Sequence, residues 1–245
     1  MENTLSLDGI TLDAYLKERI ELNEKEINYQ NTKLRVRERM AEGLTSLYKT
    51  IFKPKKVENY LLAELISKEK NKKTLLEEGA GNDNLYKDIV EKIRPEKYYR
   101  SDVSENQLSQ VKDSRVQNTV YNGIRHQIDD NTVDVAFSKC VLHHIDNGCD
   151  TGREKNRVDY LLEQKRIIKE GCKVITVDVN DPRKGNLKAK FWHYIKHRII
   201  LEEEEHNFLD EQKAVSLYNK AGFKNISSQK FETYKGKYFV VIGEK

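Results

Sequence analysis

Two glycines one residue apart, Gly79 and Gly81, sit in the run Thr74-Leu75-Leu76-Glu77-Glu78-Gly79-Ala80-Gly81-Asn82-Asp83-Asn84. The order reads as a short apolar strand, a glycine turn and the start of a helix. Glycines at alternate positions let the backbone turn tightly and come within contact distance of a ligand. The helix N-terminus beyond them offers unpaired amide donors and a partial positive charge. The same pattern also serves as a plain strand-to-helix turn. A second strand ends Arg100-Ser101-Asp102-Val103-Ser104. An acid there, roughly 20 residues past the glycines, is where this architecture holds a ribose diol. A carboxylate can accept two hydroxyl hydrogen bonds at once; the plainer use of Asp102 is to cap the next helix.

Histidine supplies the second kind of chemistry. His143 and His144 follow a predicted fourth strand, and His193 lies in a later segment with Trp192 and Tyr194. An imidazole near its ordinary pKa can take a proton from a hydroxyl or amine, so His144 or His193 is a candidate general base and His143 its neighbour; packing is the competing role for the pair. Asp178 and Asn180 fall after the fifth strand, at the end of the sheet where open α/β folds bind ligands. Cys140, His143, His144 and Cys149 have no zinc-like spacing, since closed tetrahedral sites use separated ligand pairs. Asp178, Asn180 and Asp181 form an incomplete oxygen set, so no metal is expected. A dinucleotide site is disfavoured as well: the third glycine of its fingerprint is replaced by Asn84, and Asp83 would repel a pyrophosphate.

These residues need a scaffold, and the hydrophobic pattern supplies one. Strands are expected at 74–76, 97–99, 116–120, 133–137, 173–177, 226–231 and 238–242, with helices at 85–93 and around 160–168. Strands alternating with helices at this spacing mean a mostly parallel sheet of βαβ units. The last two strands, split by Lys235-Gly236-Lys237, should pair antiparallel. The expected fold is therefore α/β and Rossmann-like, a seven-stranded, mostly parallel sheet with an antiparallel last strand. Residues 1–70 read as helices, with no strand signal, forming an N-terminal extension or cap. Residues 71–245 form the main domain, within which 183–220 is a mostly helical segment that ends at Ala221-Gly222, a natural helix stop.

The motifs in this order resemble class I S-adenosylmethionine-dependent methyltransferases over about Lys73 to Lys245. Leu75-Leu76-Glu77-Glu78-Gly79-Ala80-Gly81 is similar to the family's first motif, and Asp102 matches its ribose-binding acid. Asn122-Gly123-Ile124, ahead of Asp129 to Asp134, resembles the adenine segment, with Asn122 in place of the usual aspartate. Phe137 to Ile145 is similar to the segment after strand four, and Ile167 to Ile175 to the helix, turn and fifth strand. The resemblance implies S-adenosyl-L-methionine as cofactor, with Glu77 near its amino-acid end. It also implies that Gly79, Ala80, Gly81, Asp102, Val103, Asn122, Gly123, Ile124, Ser138, Lys139 and Cys140 line the cofactor site. The chain departs from the family pattern at three places: Asp83 replaces a third small residue, Glu78 stands where an apolar residue is common, and Gly171-Cys172 replaces a frequent Gly-Gly.

Composition narrows the partners. The chain has 245 residues, 37% hydrophobic and 34% charged, with a net charge of +4. That is enough apolar material for one core and too little basic excess for a dedicated nucleic-acid binder. The lysine-rich runs are scattered and lack interleaved aromatics, and no Asn-Pro-Pro-Tyr or Asp-Pro-Pro-Tyr segment follows strand four. The expected acceptor is a small molecule methylated on O or N; an RNA or protein acceptor, or a non-catalytic scaffold of this fold, is the alternative. No apolar run is long enough to span a bilayer, no secretory signal is read at the N-terminus, and three cysteines suggest a reducing compartment. The expected location is the cytoplasm.

Overall fold

The computed structural model describes residues 6–7, 10–11, 57–81, 84–121, 125–145, 150–180, 209–233 and 236–245. Strands β1 (Ser6–Leu7) and β2 (Ile10–Thr11) form a small antiparallel pair with Leu7 opposite Ile10. The expectation of helices with no strand signal is thus corrected at residues 6–7 and 10–11. Helix α1 (Val57–Ser67) follows, then β3 (Thr74–Glu78), α2 (Leu85–Ile93), β4 (Lys97–Asp102), α3 (Glu105–Ser109), β5 (Gln117–Val120) and β6 (Val133–Lys139). A single 3-10 turn (Leu142–His144) leads to α4 (Asp150–Ile167), β7 (Ile168–Val179), α5 (Glu211–Lys220), β8 (Lys224–Thr233) and β9 (Gly236–Glu244).

The large sheet has seven strands in the order β5-β4-β3-β6-β7-β9-β8. Strands β3 to β7 are parallel, and β9 runs antiparallel to both β7 and β8. The expected fold class is therefore the one observed. The chain steps outward from β3 to β4 and β5, then returns to place β6 on the other side of β3. That reversal puts the topological switch point at the carboxyl ends of β3 and β6, where such sheets bind ligands.

Side-chain alternation sorts each strand between two cores. Leu75, Tyr98, Val135, Phe137, Ile175 and Val177 face α1 and α2, which bury Leu62, Ala63, Ile66, Leu85, Tyr86, Ile89 and Val90 against them. Leu76, Tyr99, Ala136, Val174, Phe239 and Val241 face α4 and α5. Helix α4 buries Arg157, Tyr160, Leu161 and Gln164, and α5 buries Ala214, Leu217 and Tyr218, both at helical spacing. Helix α5 begins at Asp210, whose carboxylate accepts from Lys213 N, and stops before Gly222 at φ 71°.

Two boundaries differ from the sequence reading. Helix α4 starts ten residues earlier than the expected helix and passes into β7 without a loop, Ile167 being helical and Ile168 extended. Strand β7 accordingly starts five residues before the expected 173. Its early part pairs Ile168 with Val133, and regular pairing resumes at Lys173 with Val135. Gly171 (φ 71°) lies in the irregular stretch between. Of the expected helical segment 183–220, residues 209–220 are described and the rest lies outside the described residues, as do 12–56 of the N-terminal helices.

Asp134 ties the entrance of the sheet together. Its side chain is 3% exposed, Oδ2 accepts from Lys73 N and Thr74 N at 2.8 Å each, and Oδ1 accepts from Lys169 Nζ at 2.7 Å. Burial alone would raise its pKa, but the Lys169 ammonium and the two amides outweigh it and hold the carboxyl below its usual value. Its stabilising effect is thus present above the ordinary carboxylate pKa and is lost as pH falls through the lowered one. Asp134→Ala should cost about 1 kcal/mol of unfolding free energy at pH 7, because two partly buried amides and the Lys169 ammonium lose their acceptor. The difference from wild type should shrink below pH 4; equilibrium urea unfolding at both pH values measures it.

Candidate functional site

The carboxyl ends of β3, β4 and β6 lie in register, with Glu78 opposite both Ser101 and Ser138. The residues just beyond them, Gly79, Asp102 and Lys139, therefore share one edge of the sheet. The glycine turn is left-handed at two positions, Gly79 at φ 61° and Gly81 at φ 49°. A Cβ on Gly79 would come within 2.3 Å of Val141 Cγ2, and one on Gly81 within 2.9 Å of Gln107 Oε1. Backbone conformation thus favours glycine at both positions, and space adds to it at Gly79, whereas the flexible Gln107 side chain can move away from Gly81.

The end of β4 holds this turn. Ser101 O accepts from Ala80 N at 2.9 Å, and Asp102 Oδ2 accepts from Gly81 N at 2.8 Å. Arg100 Nη2 donates to Ala80 O at 3.2 Å and to Gly81 O at 2.8 Å. The amides of Ala80 and Gly81 are therefore committed within the protein, and the turn meets a ligand through its bare backbone surface.

Asp102 has a second donor, Ser104 N, on Oδ1 at 2.9 Å. Each carboxylate oxygen thus carries one of these backbone bonds and keeps a lone pair, the arrangement a vicinal diol requires. Burial raises the pKa of this carboxyl against the lowering effect of the Ser104 and Gly81 amides. The next residue, Val103, is 43% exposed, an apolar surface beside the acid that suits the flat face of a base. Left-handed glycines, a diol-accepting carboxylate and an exposed valine together fit the nucleoside part of S-adenosylmethionine. Asn122, Gly123 and Ile124 lie outside the described residues.

Other expected cofactor residues have different surroundings. Glu77 is 3% exposed on the α1/α2 side of the sheet; it accepts from Tyr98 OH at 2.8 Å and lies 3.6 Å from Arg100 Nε. Its carboxylate thus serves the interior, with a buried guanidinium as counter-charge. Ser138 is fully buried and points to the other face, 3.3 Å from Thr176 Oγ1. Lys139 donates to Asn59 Oδ1 at 2.8 Å, tying the start of α1 to the end of β6, and Asn59 in turn donates to Asp88 on α2. Cys140 turns the chain out of β6 in the left-handed region (φ 58°), a conformation costly for a side-chain-bearing residue and typical of functional sites.

The two histidines separate cleanly. His143 is buried; its backbone N and ring Nδ1 both contact the Asp178 carboxylate, at 3.0 and 2.5 Å. Asp178 is fully buried near the end of β7 and also accepts from Val179 N. His144 is exposed, its ring centroid 4.0 Å from that of His143. His193 lies outside the described residues.

Sequence reading missed a second buried pair. Glu78 and His126 meet at 2.5 Å with essentially no solvent contact, His126 stacks on Tyr121 at 4.2 Å, and its backbone N donates to Glu163 on α4. Arg166 completes the staple by binding Glu163 and the carbonyls of His126 and Ile128. The signal was present in the acid at position 78, which only a distant cation could satisfy. Burial favours the neutral ring of His126, yet the Glu78 charge and hydrogen bond, with Glu163, outweigh burial and raise its pKa above 6.5. Its contribution to stability is therefore complete below pH 6.5 and is lost as pH rises through the raised value. The melting-temperature gap between wild type and Glu78→Gln should be widest at pH 6 and narrow steadily toward pH 9. A gap constant across that range would show that the pair does not titrate.

The comparisons with known proteins agree with this geometry. A family profile described as "Methyltransferase domain" matches residues 76–176. No curated protein sequence matches the chain. Among solved structures, a Haemonchus contortus phosphoethanolamine N-methyltransferase 2 shares 16% identity with a TM-score of 0.56, over 78% of this chain and 53% of its own. The chain thus spans about half the length of that enzyme, whose structures hold S-adenosylhomocysteine with phosphomonomethylethanolamine, or S-adenosyl-L-methionine. An Archaeoglobus fulgidus S-adenosylmethionine-dependent methyltransferase shares 12% identity with a TM-score of 0.60, over 82% of this chain and 99% of its own. At these identities the likeness is one of fold. Residues 76–176 therefore match a methyltransferase domain, on a fold similar to that of S-adenosylmethionine-dependent methyltransferases.

Proposed function

We propose that this protein transfers the methyl group of S-adenosyl-L-methionine to an oxygen or nitrogen atom of a small-molecule acceptor. The observation that carries the reading is Asp102, whose two oxygens each hold one backbone donor beside a left-handed glycine turn and an exposed Val103. In this reading Gly79, Ala80 and Gly81 underlie the cofactor, Asp102 accepts from its ribose, Val103 covers its base, and Lys139 and Cys140 border its amino-acid end. Glu77 acts from within, through its buried contacts, and Ser138 through its main chain.

Bound S-adenosylmethionine supplies an already activated methyl on a sulfonium, so the protein has only to align the acceptor and remove its proton. His144 suits the proton transfer, because it is exposed at the ligand-binding end of the sheet, whereas His143 is pinned on Asp178. A small acceptor is supported by the scattered basic residues and by the missing Asn-Pro-Pro-Tyr segment after β6. The Haemonchus enzyme crystallised with phosphomonomethylethanolamine is a precedent on the same fold. Among the described residues no helix is long and apolar enough to cross a membrane, which accords with the proposed cytoplasmic location.

S-adenosylhomocysteine, which binds without turning over, should stabilise the protein by about 2.7 kcal/mol at a hundredfold excess over its Kd. Asp102→Ala should abolish that shift; absence of a shift in the wild type would leave a scaffold of this fold as the better reading. In a panel of hydroxyl and amine acceptors followed by S-adenosylhomocysteine release, His144→Ala should lower kcat by about a hundredfold, with cofactor binding unchanged. Normal turnover would remove His144 from the mechanism.

A further inference from the structure

We propose that Arg100 is a positioning residue for the cofactor: it sets affinity by fixing the peptide planes of the glycine turn, and through them the Asp102 carboxylate. The proposal rests on the reading that this turn and Asp102 carry S-adenosylmethionine.

Arg100 and Asp102 are two apart on β4, so their side chains leave the same face of the sheet. They grip opposite edges of one peptide. Arg100 Nη2 bonds the carbonyl of Ala80, and Asp102 Oδ2 bonds the N–H of Gly81, the other end of that planar unit. Nη2 also bonds Gly81 O at 2.8 Å, which fixes the orientation of the following peptide. The preceding peptide is held at Ala80 N by Ser101 O. Glycines have the widest backbone freedom of all residues, so this turn depends on outside restraint to stay in one conformation. Three successive residues of β4 provide it.

The Arg100 side chain is fully buried, with its guanidinium carbon 5.1 Å from the Tyr86 ring centroid on α2. Glu77, 3.6 Å from Nε, supplies the counter-charge. The guanidinium can therefore serve a neighbouring acid and two carbonyls at once, because its planar fork directs several donors. Without it, the Ala80–Gly81 peptide could rotate, and Asp102 Oδ2 would lose the donor that orients it. The ligand would then have to order the turn as it binds, and affinity would fall by that ordering cost.

The test separates charge balance from positioning. Arg100→Met alone strands the Glu77 carboxylate in the interior and should lower the melting temperature sharply. Glu77→Gln combined with Arg100→Met removes both charges and should recover much of that stability. If Arg100 positions the turn, the double variant still binds S-adenosylhomocysteine about tenfold or more weakly than wild type, by the usual strength of a hydrogen bond to a charged group. Its Gly81 amide should exchange faster with solvent while the β3 and β6 amides stay protected. Arg100→Lys keeps the charge yet cannot span both carbonyls, and should weaken binding by about fivefold; it decides the matter if the double variant does not fold. Wild-type affinity in Arg100→Lys or in the folded double variant overturns the proposal while leaving the cofactor reading intact. A wild-type protein that does not bind S-adenosylhomocysteine overturns the cofactor reading, and the proposal with it.

Discussion

A guanidinium without solvent contact lies where β3 and β4 end, and much of the site follows from how it is accommodated. An ionised group in the interior needs a counter-charge and acceptors for its donors. For Arg100 these are Glu77 on β3 and the carbonyls of the glycine turn. The arrangement fixes strand register, since a one-residue slip of β4 would send Arg100 to the opposite face, among the apolar side chains packed on α4. It also locates the turn, since the carbonyls that bind Arg100 must face inward.

The two faces of the sheet divide the chemistry between them. Glu77, Arg100 and Lys139 share the side covered by α1 and α2, and their contacts hold the glycine turn and the start of α1. Glu78, Ser138 and Asp178 share the side covered by α4 and α5, where the buried histidines His126 and His143 each meet a carboxylate. Period-two alternation thus explains why adjacent residues such as Glu77 and Glu78 have unrelated partners. His143 and His144, in a tight 3-10 turn with no such alternation, keep their rings in contact at a tilt of 39°.

The sheet, its topology and the glycine turn were legible in the sequence because each leaves a local mark: apolar runs at strand length, helical spacing between them, and glycines at a sharp turn. The place of Asp102 at the end of β4 was legible for the same reason. The polar pairs were not. His143 and Asp178 are 35 positions apart, and Lys139 and Asn59 are 80 apart. No local periodicity records which buried acid meets which base. Glu77 is an example: its motif position was readable, but its contacts with Tyr98 and Arg100, more than 20 positions away, were not. The boundary between α4 and β7 was missed because Ile167 and Ile168 suit helix and strand equally, and no glycine or proline marks the change.

That loopless junction governs where the chain can change length. One residue added at Ile167–Ile168 would turn the buried stripe of α4 by about 100° or exchange the two faces of β7; neither core could absorb it. A few residues further on the opposite holds. Between the pairs Val133–Ile168 and Val135–Lys173, β6 advances two residues while β7 advances five, so the surplus is already looped out around Gly171. Among the described residues, and apart from its two chain neighbours, no atom lies within 4 Å of where a Cβ on Gly171 would project. Insertions and deletions among relatives of this chain should therefore collect at the glycine and avoid the junction, although the two are only four residues apart.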